Sequence, residues 1–342
     1  MITLDGSQGE GGGQILRTAL ALSAVTGTPF EITGIRARRP KPGLMRQHLV
    51  SVRAAAAVCG AQVTGGELGS TSLRFVPGPV RGGTYAFDIG SAGSTLLVAQ
   101  TILPPLLRAG QETAVTLIGG THNPFAPSFP FVEGAFLPLL DRMGFLCGFR
   151  LEKAGFYPAG GGQCVMSIGS RPGRAPLVLQ SVPATPRLGA RVCVVGLDVE
   201  IAHREVAALG EQLALDPQGT SIDRCPGAIG IGNTVHVTVD LDGYSEVFTA
   251  HGERGVPAEA VAGNAAAQAK AFLASGAAVG EHLADQLLLP MALAAGGSFT
   301  THVLSAHTQT QIRVMETFIG KCVRTRRAVR GCIGCTSKLS EN

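Results

Sequence analysis

The stretch Gln14-Ile-Leu-Arg-Thr-Ala-Leu-Ala-Leu-Ser-Ala-Val-Thr-Gly27 decides how this chain is read. Its apolar residues recur at helical spacing, and the run stops at glycine, the residue that best adopts the left-handed turn after a helix. A strand pattern follows at residues 30–33. A second helix pattern, residues 48–58, closes at Gly60, and residues 72–76 read as another strand. The same order returns: a helix pattern at 95–107, Gly110, a strand at 114–118, a helix pattern at 132–143, Gly144. Gly27 and Gly110 lie 83 residues apart, and Gly60 and Gly144 lie 84 apart. Equal spacing of an equal element order is the mark of an internal repeat. A third, partial copy runs from Val279 through a helix pattern at 283–293, Gly296-Gly297 and a strand at 299–303. It ends in a last helix at 307–319.

Residues 183–276 read differently: a strand, a helix, two alternating strands and a long Ala-rich helix. Pro183, Pro186 and Gly276 mark the edges. The expected fold is therefore α/β (α+β), built of three repeated two-helix units with a small inserted α/β domain. Residues 1–182 carry repeats one and two, 183–276 the insert, 277–320 the third repeat, and 321–342 a basic, cysteine-containing tail.

Composition narrows the classes. Of 342 residues 45% are hydrophobic and 15% charged, with 47 Gly and net charge +4. Disorder and collagen are excluded, the first by apolar content, the second because glycine shows no three-residue period. No apolar run reaches the length of a membrane span, and the N-terminus lacks a signal-peptide pattern, so a soluble cytoplasmic protein is expected. Eight cysteines in such a chain do not form a disulfide scaffold. Cys59, Cys147, Cys164, Cys193 and Cys225 sit among apolar residues as small hydrophobes. Cys332-Ile-Gly-Cys335, with Cys322 nearby, is the only zinc-like spacing, and it has no fourth ligand close by.

Charge is placed unevenly. Residues 32–66 hold Arg36, Arg38, Arg39, Lys41, Arg46 and Arg53 without one acid; residues 317–340 hold six more basic residues, again without an acid. These 59 residues carry 12 of the 28 Lys and Arg. Such segments suit a polyanionic partner, or else a solvated surface loop and a disordered tail.

Four motifs carry candidate chemistry. Asp5-Gly-Ser-Gln-Gly-Glu10-Gly-Gly-Gly-Gln14 precedes a helix, where free N–H groups and the helix dipole favour an anion. Glu10 in such a loop would need a divalent cation between itself and a phosphate. The plain alternative is a tight turn that needs glycine for its backbone angles. Asp88-Ile-Gly-Ser-Ala-Gly-Ser-Thr95 stands at the equivalent place in the second copy, with polar Gln100 inside its apolar helix pattern. Gly155-Phe-Tyr-Pro-Ala-Gly-Gly-Gly162 permits a close backbone approach by RNA, nucleotide or a strand. Ser305-Ala-His307 opens the last helix; Ser305 is a good N-cap, which puts His307 in the first turn, where the dipole favours a neutral, nucleophilic ring.

Together these residues resemble a family. Gly9-Glu-Gly-Gly-Gly-Gln-Ile-Leu-Arg17, Ile35-Arg-Ala-Arg-Arg-Pro-Lys-Pro-Gly-Leu44, Arg46-Gln-His48, Gly119-Gly-Thr-His-Asn-Pro124, Gly155–Gly162 and Val279-Gly-Glu-His-Leu-Ala-Asp-Gln-Leu287 are similar to RNA 3′-terminal phosphate cyclases. The resemblance is colinear to about residue 320. It implies three two-helix, four-stranded units like the C-terminal domain of translation initiation factor 3. It also implies ATP as co-substrate, Mg²⁺ or Mn²⁺, RNA ending in a 3′-phosphate, and a covalent adenylyl-histidine. Non-catalytic ribosome-assembly proteins of the same fold and enolpyruvyl transferases of related architecture are the alternatives, and His307 speaks against both. Carried over by position, His307 is the nucleophile and Glu10 the acid at the metal. Gln100, His282, Leu283, Ala284, Asp285 and Gln286 are adenylate-site positions; Arg17, Arg36, Arg39 and Gln47 line the groove for RNA phosphate. The family commonly has tyrosine at His282 and a basic residue at Ala154.

Overall fold

The computed structural model describes residues 1–9, 11–170, 175–180, 182, 185–241, 243–327 and 333–337. The chain begins with β1 (Ile2–Asp5), crosses through α1 (Gln14–Thr26) to a parallel β2 (Phe30–Thr33), and crosses again through α2 (Arg46–Cys59). β3 (Gln62–Thr64) and β4 (Leu73–Val76) complete a sheet of order β1-β2-β4-β3, with β4 antiparallel to both neighbours. Gly27 (φ 70°) and Gly60 (φ 59°) terminate the two helices in the left-handed region.

The next stretch repeats this path. β5 (Gly83–Asp88), α3 (Thr95–Ala109) and β6 (Thr113–Gly119) lead into a helical stretch. That stretch is α4 (Phe129–Phe131), a π-helical turn (Val132–Phe136) and α5 (Leu137–Arg142). β7 (Cys147–Lys153) and β8 (Gly162–Ile168) follow, giving the order β5-β6-β8-β7.

β9 (Leu177–Leu179) opens a third sheet, which the chain leaves at once. β10 (Arg187–Val195), α6 (Glu200–Gly210), β11 (Leu215–Asp223), β12 (Gly232–Asp240), β13 (Ser245–His251) and α7 (Ala258–Ser275) form a separate sheet, ordered β11-β10-β12-β13, with two helices. The chain then returns through α8 (Glu281–Leu293), β14 (Gly297–Thr301), α9 (Ala306–Ile319), β15 (Val323–Arg327) and β16 (Ile333–Ser337). β9 is parallel to β14, and β16 is antiparallel to β14 and β15.

Two boundaries differ from expectation. The third sheet takes its first strand from before residue 183, and the segment read as a tail supplies its last two strands. A disordered tail is therefore the wrong description of residues 323–327 and 333–337, which are strands. Cys322 and Cys335 are buried, and burial pushes both thiols up to about 11, as in a core. Cys332, the other half of the zinc-like spacing, lies outside the described residues.

Helices position everything that follows. α1 is buried along nearly its whole length because it packs against α2, α3 and α9. α8 packs against α3 and α9. Leu16, Leu20 and Leu22 are fully buried there, each worth about 1.5–3 kcal/mol. Helices separated by hundreds of residues thus bring their N-terminal turns together. Among the described residues no helix is long and apolar enough to cross a membrane.

Candidate active site

His307 stands at the second position of α9, exposed, above the N-terminal turn of α1. Ser305 caps that helix, its hydroxyl accepting from the Thr308 N–H at 3.1 Å. A buried hydrogen bond from Thr18 Oγ1 to Gln311 Oε1, 2.6 Å, locks α1 to α9 and sets the register between them.

That register places Gln14 under the imidazole. His307 Nδ1 lies 2.8 Å from Gln14 Oε1, and Gln14 Nε2 donates to Asp285 Oδ2 at 3.1 Å. An amide oxygen only accepts, so in the neutral ring Nδ1 carries the proton and Nε2 keeps its lone pair. The amide transmits the orientation: Asp285 fixes Gln14, and Gln14 fixes the tautomer of His307. Burial pushes the Asp285 carboxyl up to about 7, against the pull of the Arg17 guanidinium and the Gln14 amide.

Beside this chain of groups lies a cleft enclosing about 560 Å³, open solvent included. α1 supplies Gln14 and Arg17, α3 supplies Gln100, and α8 supplies Asp285 and Gln286. The Gln286 amide donates to the His282 carbonyl at 3.1 Å, while its Oε1 is buried with no partner. An orphaned acceptor in a cleft fits a ligand bearing N–H groups, such as a nucleobase amine. Leu283 and Ala284 are fully buried, on the side of α8 that faces the core, and do not line the cleft. The His282 ring is exposed and pairs with Glu281 at 3.6 Å.

The arginines gather beside the cleft. Arg17, Arg36 and Arg39 all act on His48, which burial first, and then these charges, holds down to about 3. Arg36 has a left-handed backbone (φ 54°), and its Nη1 donates to the Lys41 and Gly43 carbonyls at 2.5 and 2.9 Å. It therefore braces the basic loop, while Arg39 is exposed.

The glycine loops differ from each other. Gly9 and Gly11 have φ 59° and 61°. A Cβ on Gly9 would meet Thr310 Oγ1 at 2.4 Å, and one on Gly11 would meet the Arg38 stem at 2.8 Å. Glycine is needed there both for its angles and for threading the loop between α9 and the basic loop. Glu10 lies outside the described residues. In the second loop Gln47 Oε1 accepts from Ser94 N–H (2.7 Å), Asp88 Oδ1 from Gly90 N–H (2.8 Å), and Arg46 donates to the Gly90 carbonyl (2.8 Å). The Gly90 and Ser94 N–H groups are thus taken within the protein, as in a turn. Gln47 holds that turn.

Sequence reasoning missed Gln14 as a functional residue. It sits in a quoted motif, but its partners are 271 and 293 residues away. A second omission is the cluster Cys193, Asp223 and Cys225, treated below.

A helix-terminal imidazole held by an amide, a carboxylate that holds that amide, and guanidinium groups beside a cleft define a class of site. It is competent to take a phosphoryl or nucleotidyl group from a phosphorylated ligand. The chain belongs to the RNA 3′-terminal phosphate cyclase family, whose description matches residues 8–325. It is 50% identical over 320 residues to the RNA 3′-terminal phosphate cyclase of Salmonella typhimurium, covering 93% of this chain and 94% of that protein. It is also 50% identical over 319 residues to that of Salmonella agona, covering 93% and 92%. The enolpyruvyl transferase NikO from Streptomyces tendae aligns at 10% identity with a TM-score of 0.29, across 100% of this chain and 66% of that one, too slight a likeness to bear on fold or activity.

Proposed function

We propose that this protein converts an RNA 3′-terminal phosphate to a 2′,3′-cyclic phosphate at the expense of ATP. His307 Nε2 attacks the α-phosphorus of ATP; the bond to the β-phosphate oxygen breaks and pyrophosphate leaves. An oxygen of the RNA 3′-phosphate then attacks the same phosphorus, breaks the P–N bond and frees His307. The 2′-OH attacks the terminal phosphorus, loses its proton, closes the ring and expels AMP. A phosphate monoester has no leaving group of its own, so activation must precede closure.

The observation that carries this reading is the His307–Gln14–Asp285 chain beside the cleft, because it holds the ring in place and puts the proton of the neutral imidazole on Nδ1. Gln100 and Gln286 are assigned to the adenine, Arg17 to the triphosphate, and Arg39 to the RNA phosphate, with Arg36 and Gln47 holding their loops in place. Glu10 is assigned to a divalent cation, Mg²⁺ or Mn²⁺, which when bound would neutralise charge on the triphosphate. His282 is assigned to the rim of the site; Leu283 and Ala284 act through their packing.

We also read the three sheets of common strand order as repeats of one two-helix, four-stranded unit, with the insert lodged between β9 and α8. The test of function is incubation of 3′-phosphorylated RNA with ATP and Mg²⁺. The terminal phosphate should become resistant to phosphatase and sensitive to acid opening. RNA that binds but keeps a phosphatase-sensitive end would mark a binding protein instead.

A further inference from the structure

Among residues that do not line the cleft, where the insert meets the second sheet, two thiols and two imidazoles are buried together. Cys193 is on β10; Cys225 is two residues past β11, in a left-handed turn (φ 44°). Their Sγ atoms and an Asp223 oxygen all lie within 4.8 Å of one another. From the other side comes His122, in the loop after β6, stacked on Phe156 with ring centroids 4.9 Å apart. His236 on β12 completes the group, its ring edge-on to His122 at 5.8 Å. His236 and Cys193 stand on the same face of the paired strands β12 and β10, one step apart on the diagonal, and Cys193 and Cys225 pack in one cluster with Phe156, on which His122 stacks.

The two rings are set up alike. His236 is fully buried; its Nδ1 lies 3.2 Å from the Arg191 carbonyl, which only accepts, so Nδ1 carries the proton. Its Nε2 is left with a lone pair and has no hydrogen-bond partner. His122 is 2% exposed, and its Nδ1 lies 2.8 Å from Thr121 Oγ1. That hydroxyl already accepts from Gly155 N–H (2.9 Å) and is 3.4 Å from the Gly155 carbonyl, to which it can donate. In the tautomer in which His122 Nδ1 donates to that hydroxyl, Nε2 also carries a lone pair. An Nδ1–H anchored on an oxygen, with Nε2 turned toward a soft donor, is the arrangement of metal-bound histidine.

We propose that Cys193, Cys225, His122 and His236 form a structural zinc site that clamps the insert to the second unit. Two thiolates and two imidazoles are a tetrahedral S₂N₂ set, which favours zinc over hard cations. A zinc ion holds each thiolate at about 2.3 Å; the two sulfurs, within 4.8 Å of each other, flank such a space, and the imidazole nitrogens, which stand outside that 4.8 Å group, close in when the ion binds. Asp223 stays outside the shell, because Oδ2 accepts from Arg191 at 2.6 Å and Oδ1 from the Cys225 N–H at 2.7 Å. It fixes the turn that presents Cys225. Ala154, where the family commonly has a basic residue, is 4% exposed and packs in the same cluster. A cation there would oppose a second one. Binding releases the thiol protons, so affinity should fall with acid.

The test uses the full-length protein, reduced, stripped with chelator, its thiols counted, then titrated with Co²⁺. Wild type should take up one cobalt with a strong thiolate-to-cobalt charge-transfer band and tetrahedral ligand-field bands, all displaced by one equivalent of Zn²⁺. Zinc should raise its Tm. C193S/C225S should lose the band, and H236Q should weaken zinc at least tenfold while keeping both thiolates. Should the double variant misfold, the band intensity of wild type alone still reports two thiolates against one or none. The proposal is overturned if fully reduced wild type gives no such band, or if the double variant keeps it, which would move the site to cysteines such as Cys322 and Cys335.

Discussion

Gln14→Ala removes the link between Asp285 and His307 without touching either. The lost hydrogen bonds are one to an imidazole at 2.8 Å and one to a carboxylate at 3.1 Å. A neutral bond contributes about 1 kcal/mol and one to a charged group about 1.5–3 kcal/mol. The pair is thus worth about 2.5–4 kcal/mol, and each 1.4 kcal/mol realised in the transition state is tenfold in rate. We expect formation of the protein–AMP adduct to slow by about 10²-fold, with a fall in Tm as well, because the same bonds contribute to the stability of the fold. Gln14→Glu sharpens the test: the new carboxylate still accepts from Nδ1 but offers Asp285 no donor and repels it. That variant should be as slow as Gln14→Ala at pH 8 and recover as pH falls toward 6, because Asp285, already pushed up to about 7, then takes a proton and donates. The assay is single-turnover adduct formation from labelled ATP. Adduct formation by Gln14→Ala within twofold of wild type would refute the relay.

Three further outcomes are expected. Glu246 is 2% exposed and burial raises its carboxyl to about 8, against a Gly280 N–H that it accepts at 2.5 Å. The folded state therefore keeps a proton that the unfolded chain loses above pH 4.5, and stability falls by about 1.4 kcal/mol per unit up to about pH 8, then levels. Glu246→Gln should flatten the decline of Tm between pH 6 and 8; an unchanged slope would mean another group causes it. Arg39→Ala should form the adduct normally, transfer AMP poorly to 3′-phosphorylated RNA, and lower the salt slope of binding by about one; Arg36→Ala should also lower Tm, since it frees two loop carbonyls. Gly43→Ala forces a Cβ to 2.2 Å from the Gly69 carbonyl at φ 81°, and should destabilise the chain by about 1–3 kcal/mol in denaturant titration while weakening RNA binding.

The helices were legible because glycine punctuates them. α1 and α3 end within two residues of where spacing puts them, since a buried apolar face and a left-handed glycine cap leave local marks, and α8 and α9 end as closely on their apolar faces alone. The strands were less so. β11 holds Pro217 and Gly219 and is an edge strand with a register shift opposite Gly189, so it carries no clean alternation. β15 buries only Val323 and shows four exposed residues in a row, so its basic stretch reads as a tail. At the site, His307 was marked by its N-cap, and Asp285 by a motif carried over from the family. Gln14 was not, because its role exists only where α1, α8 and α9 meet. Cys193 and Cys225 looked like core thiols for the same reason: they lie 32 positions apart, and the histidines near them come from β12 and from the loop after β6.

The central claim is that His307 Nε2 becomes covalently adenylylated. The most direct measurement is denaturing gel analysis after incubation with α-labelled ATP and Mg²⁺, followed by peptide mapping of the label. The account predicts a single AMP on His307, stable to alkali, labile to acid as a phosphoramidate is, and absent in His307→Ala. Label that survives the substitution, or maps to a lysine, would contradict it.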